Sequence, residues 1–265
     1  MDEPRLFLYT DRPHPALEPD VIVRYLKGLG LNVELKGDFF EANGIAPGDA
    51  AAALARCRVK DLQREGSLNT DPGEEEIGEE TLFLKSHAPI RLKKDRSNLY
   101  DGLALCRFYR SFPGRGLHLI FTSRMPATYE GRRYHGRVVV MDFPAALIST
   151  TGIVEAPARP REFYIKLAAY HRARQAGLML PEEDDFTEAL KEEFKERFID
   201  YDDPRLTEAA KGYALQAIFY LRWGEAFCPD PGCRLYNAHT QEEMIHAQIE
   251  SGGLCERHRR FLERA

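Results

Sequence analysis

Apolar positions along this chain change their period more than once. Arg5-Leu-Phe-Leu-Tyr-Thr10 is a short β-rich run. Asp20 to Leu29 then sets Val21, Tyr25 and Leu29 on one helical face, with Gly30 as its stop. Asn32 to Phe40 returns to strand character, and Pro47 to Val59 is helical, with Asp49 near its start. Gln63 to Glu80 is acidic and contains Gly and Pro, which predicts a solvated loop or insertion. Thr81 to Ile90 reads as a further strand, and Asn98 to Phe112 as a helix carrying Leu103, Cys106 and Tyr109. Leu117 to Thr122 and Arg137 to Asp142 are the strongest strands, apolar enough for buried central positions. The last third is helical: Pro160 to Gly177, Asp185 to Phe198 and Pro204 to Trp223, followed by a Cys-rich tail.

A β-α-β-α opening followed by helices predicts an α/β fold with a twisted mixed β-sheet flanked by helices. The expected division is an α/β sheet subdomain over residues 1–150 and a helical C-terminal subdomain over residues 151–265, in one compact unit. No internal repeat or low-complexity tract interrupts it.

Composition narrows the classes. The chain has 265 residues, 43% hydrophobic and 30% charged, which excludes wholesale disorder and suffices for a core without disulfides. A net charge of −5 supplies no global field for nucleic acid or an anionic membrane. The acidic start lacks the features of a secretory signal, and no apolar run approaches the ~18–20 residues that span a bilayer. The expected location is cytoplasmic. Five cysteines, an odd number, then point to metal binding or buried thiols instead of a disulfide framework.

Three of the five fall in the tail, as Cys228-Pro-Asp-Pro-Gly-Cys233 and Cys255-Glu-Arg-His258. Zinc takes four soft or borderline ligands in a tetrahedron, and each short loop can deliver two of them to one point. Pro229, Pro231 and Gly232 suit the tight turn of the first knuckle. Three thiolates and one neutral imidazole sum to −1 around Zn²⁺, easier to bury than the −2 of four thiolates. The expected cofactor is one structural Zn²⁺ held by Cys228, Cys233, Cys255 and His258. Between the knuckles, Thr240 and Glu243 form a capping-box pattern at a helix start, which leaves His239 and His246 solvated.

This tail, with the helix before it, resembles the archaemetzincins, a branch of the metzincin zinc peptidases. Their motif is His-Glu-x2-His-x2-Gly-x2-His-Cys-x4-Cys-x-Met-x17-Cys-x2-Cys. In that family the cysteines hold a structural zinc, while the three histidines and the glutamate form the catalytic site. The resemblance implies a metzincin-like fold, with Gly116 to Ser123 as central strand and Gly136 to Leu147 as the edge strand beside a substrate cleft. It places His258 at the fourth cysteine position, with a longer approach that Gly252-Gly253 absorbs.

The departures carry more information. On this register the functional positions read Ala217, Ile218, Leu221, Gly224 and Phe227, and the methionine position reads Leu235. Only the glycine survives. Methyl, isobutyl and phenyl groups have no lone pair for a metal, and isoleucine cannot deprotonate water. No catalytic residue is therefore assigned. The expected function is a zinc-binding, archaemetzincin-like protein without peptidase activity. Its residual cleft would hold a peptide or protein segment by strand addition, between the helix ending at Trp223 and the Arg137–Asp142 strand.

Two other classes are weighed. A metal-dependent hydrolase with a relocated site would draw on His118, His135, Asp142 and Glu162, with His171 a further single histidine. An adaptor would bind protein or nucleic acid through the basic tail at Arg257, Arg259 and Arg260, although Tyr236 and Phe261 are its sole nearby aromatics. Cys57 and Cys106 stand singly in helical patterns and read as core.

Overall fold

A computed structural model describes residues 4–86, 88–112 and 114–263. Its main sheet runs in the order β2-β1-β4-β8-β7. The strands are β1 (Leu6–Thr10), β2 (Val33–Asp38), β4 (Leu117–Thr122), β7 (Val139–Asp142) and β8 (Ala145–Ser149). β1 lies parallel to both β2 and β4, β8 lies parallel to β4, and β7 pairs antiparallel with β8. Every residue of β4 and β8 is buried, as expected of strands covered on both faces. A second, three-stranded sheet joins β3 (Leu99–Asp101), β5 (Met125–Glu130) and β6 (Arg133–Gly136).

The helices over the sheets are α1 (Pro19–Gly28), α2 (Phe39–Ala42), α3 (Pro47–Arg56), α4 (Glu74–Lys85), α5 (Gly102–Arg110) and α6 (Thr150–Glu155). α7 (Arg161–Gln175) and α8 (Glu183–Phe194) make a separate apolar cluster through Phe163, Leu190, Phe194 and Phe198. α9 (Leu206–Trp223) is the central helix. Ala209, Ala210, Ala214 and Ala217 keep its face slim, and Leu215, Ile218 and Phe219 are fully buried beside them. It ends at Gly224, whose left-handed φ of 72° lets its N–H reach the Tyr220 carbonyl. Beyond it lie α10 (Gln241–Ile245), a π-helical turn (His246–Ser251) and α11 (Glu256–Glu263). Leu235, Met244 and Leu254 of this tail join Leu6, Leu119 and Ile218 in one core.

Several expectations change. Among the described residues Thr81 to Ile90 holds no strand: α4 covers Glu74–Lys85, so the acidic stretch is a loop only as far as Gly73. Its Glu76 carboxylate accepts from the Gly73 N–H and fixes the helix start. Asn98 to Phe112 divides into β3 and α5, because Asp101 accepts from the Ala104 N–H and starts the helix there. Val139–Asp142 is the edge of the sheet and not its centre. β5, β6 and β8 carry weak sequence signals, being short or interrupted by Pro126.

α4 is held by charge instead of by an apolar stripe. Its Glu80 is fully buried. Oε1 of Glu80 accepts from Arg58 Nε at 2.8 Å and from the Tyr100 hydroxyl, and Oε2 accepts from Arg124 Nη2 at 2.9 Å. Arg124, also fully buried, donates through Nη1 to Asp11 Oδ2 at 2.6 Å. Thr122 and Tyr109 hydroxyls complete that oxygen at 2.6 and 2.8 Å. The ends of β1 and β4 and the helix above them are thus joined by one paired network.

Candidate metal centre

The tail is shaped by its turns. Asp230 Oδ1 accepts from the Gly232 N–H at 2.9 Å, and the Cys233 N–H reaches the Asp230 carbonyl at 3.0 Å, closing the first knuckle. Cys228 N–H donates to the Leu235 carbonyl at 2.8 Å. The second knuckle is brought alongside when Arg234 N–H bonds the Gly253 carbonyl at 2.8 Å and the Arg234 side chain bonds Gly252. Gly252, with φ of 60°, ends the π-helical turn and aims Cys255 at the first knuckle. Gln216 of α9 donates to the Tyr236 carbonyl at 3.0 Å, and Gln248 to the Arg234 carbonyl at 3.0 Å, fastening the tail to the core.

These turns bring Cys228, Cys233, Cys255 and His258 together, with one donor atom from each within 4.8 Å of the others. A tetrahedron with metal–sulfur bonds near 2.3 Å has sulfur–sulfur edges of about 3.8 Å. Cys228 Sγ and Cys255 Sγ lie 3.8 Å apart. His258 Nδ1 is 3.8 Å from Cys233 Sγ and 3.0 Å from Cys255 Sγ. The set fits a tetrahedral metal in both chemistry and size. Burial pushes the Cys228 thiol up to about 12 and raises that of Cys233 as well. A buried cation is the natural means of holding such thiols deprotonated.

His258 is fully buried, and its Nε2 faces Glu225 Oε1 at 3.3 Å, a carboxylate that Arg257 also holds at 2.6 Å. That contact puts the proton on Nε2 and leaves the Nδ1 lone pair for the thiol cluster. Glu225 carries no spacing signal in the sequence. Its position beside Gly224 and its opposite charge to Arg257 are the only hints in the sequence. Replacing Glu225 with alanine is expected to weaken affinity for added Zn²⁺ about 10–100-fold in a chelator competition. Unchanged affinity would show that His258 needs no such partner.

A cleft of about 330 Å³ lies between the Gly136–Val139 segment and α9, lined by Arg137, Val139, Tyr213, Gln216, Phe227 and His239. β7 beside it has a strand neighbour on one side only. Ala217 and Ile218 are fully buried, and Phe227 is half exposed at the cleft. Tyr213 is buried with no hydrogen-bond partner for its hydroxyl, and burial raises its pKa.

The other candidates stay apart. His118 bonds the Gly114 carbonyl at 3.0 Å and stacks on Phe7. Asp142 pairs with Arg110 at 3.3 Å, and Glu162 with Arg197 at 3.1 Å. His135 sits beside Arg133 on β6. Among the described residues, the tail cluster is the one group of three or more such side chains close enough to share a metal. Cys57 and Cys106 are buried in the apolar cluster around Phe39, Tyr100 and Tyr109. His239 and His246 are exposed, and the Thr240–Glu243 capping box is present. Among the described residues no helix is long and apolar enough to cross a membrane.

Comparison with known proteins places this chain in a family. The model of the probable metallopeptidase family DUF6775 matches residues 2–265, and the chain belongs to that family. It is similar to the crystal structure of archaemetzincin from Methanopyrus kandleri, at 14% identity over 99% of this chain and 94% of that one, with a TM-score of 0.48. A comparison with curated proteins gave no match.

Proposed function

We propose that this member of a metallopeptidase family is a zinc-stabilised, non-hydrolytic protein whose cleft binds an extended peptide. One contrast carries it: three thiols and an imidazole converge in the tail, while the α9 positions that the archaemetzincin resemblance would fill with metal ligands and a base are Ala217, Ile218 and Leu221, all buried and without a lone pair, and α9 reaches the cleft through Tyr213 and Gln216 instead. A Cys₃His set favours zinc over harder ions, and a closed set of four protein ligands is the mark of a structural site. The metal, when bound, supplies cross-linking between two knuckles and no open position for substrate. The cleft keeps what peptide binding needs, an edge strand, a buried unpaired hydroxyl and an exposed aromatic ring at Phe227.

Purified protein incubated with heat-denatured casein is expected to release no chelator-sensitive fragments, while short extended peptides raise its melting temperature. Cleavage that stops on adding 1,10-phenanthroline would overturn this function.

A further inference from the structure

A second cavity, of about 200 Å³, shares Gly136 and Ala156 with the cleft and continues it past β6. Its floor includes Leu92, Leu99 and Met125, and Arg96, Arg133 and His135 stand around it. Among the described residues neither Arg96 nor Arg133 has a carboxylate within ion-pair distance. The acids nearby are already engaged. Glu130, opposite Arg133 in the strand register, pairs with Arg137 at 2.5 Å. Glu155, which also lines the cavity, is held by Arg159 at 3.4 Å and by the Tyr201 hydroxyl at 3.1 Å. Arg133 Nε points to His135 Nε2 at 3.4 Å.

Arg96 supplies an independent observation. Its φ of 58° is left-handed, and it is the one non-glycine residue with positive φ among the described residues. Glycine or asparagine would sit there with less strain. The loop fixes it nonetheless: buried Asn98 accepts from the Lys93 N–H and donates to the Arg91 carbonyl, both at 2.9 Å. Arg96 N–H also bonds the Lys93 carbonyl at 2.9 Å. Arg96 and Arg133 are both exposed and line the same cavity, so the strained arginine stands with a second cation and no acid to neutralise either.

We infer that this cavity is an anion subsite of the cleft, in which Arg96 and Arg133 bind a carboxylate of the seated peptide, from its C-terminus or from an acidic side chain. This rests on the peptide-binding function proposed above. The two sources share one chemistry and are separable by experiment.

Calorimetric titration of the full, zinc-loaded chain would use N-acetylated Gly-Ala-Val-Ala-Gln-Ala in three forms. These are the C-terminal amide, the free acid, and the amide with glutamate in place of glutamine. At least one carboxylate-bearing form is expected to bind about tenfold more tightly than the neutral amide, and which one does so identifies the source. In Arg96→Gly and Arg133→Gln proteins the preference should vanish while affinity for the neutral amide persists. Arg96→Gly should also melt no lower than the parent, because it relieves the left-handed arginine. Equal binding of all three forms to the parent would overturn the subsite alone. Binding of none of them would overturn the peptide-binding function and the subsite with it.

Discussion

Replacing Cys255 with serine is expected to lower the stability of the zinc-loaded protein by about 4 kcal/mol, or roughly 10 °C in melting temperature for a chain of this size. The loss has two parts. A weaker ligand leaves Cys228 and Cys233 as buried thiols beside His258, and the second knuckle loses its tether to the first. The damage would not stay in the tail. Leu235, Met244 and Leu254 share one core with α9 and β4, so loosening the knuckles withdraws apolar cover from Leu215 and Ile218. Amide exchange should therefore rise first over residues 226–263 and then along α9, with β1 and β4 last. Melting of the variant at the parent temperature, with unchanged exchange in the tail, would show that the cysteines carry no structural metal.

The second large effect lies far from the tail. Glu80→Ala is expected to cost about 3–5 kcal/mol, the range for removing one partner of a buried ion pair. The carboxylate joins Arg58, Arg124 and Tyr100, and without it two guanidinium groups, buried or nearly so, lose their shared acceptor. Arg124 would keep only Asp11. Because Arg58 and Arg124 come from different elements, α4 should detach while the parallel strands persist. Limited proteolysis would report this as new cleavage between residues 60 and 98. A cost under 1 kcal/mol would mean that the network is solvated in solution and contributes little.

This network also explains what the sequence concealed. Hydrophobic periodicity finds a helix by its apolar stripe, but the buried residue of α4 is Glu80, while Leu82 is exposed. An acidic run with scattered apolar residues therefore reads as a loop followed by a strand. β5 and β6 escaped for a related reason: Pro126 interrupts the first, and Arg133 and His135 crowd the second. The four candidate ligands were legible because their information is local. Two short spacings, the first with Pro and Gly inside it, predict knuckles before any tertiary contact is known. Glu225 was not legible, because its link to His258 spans the whole tail and depends on how α11 docks. The same holds for the second cavity, which is lined by Arg96 from a loop and Arg133 from β6.

The proposed function requires metal at the tail cluster and none on α9. Anomalous diffraction recorded on both sides of the zinc absorption edge tests it directly. The expected map has one peak per chain, enclosed by Cys228, Cys233, Cys255 and His258. A peak beside Ala217, Leu221 and Phe227, or no peak among the tail thiols, would contradict it.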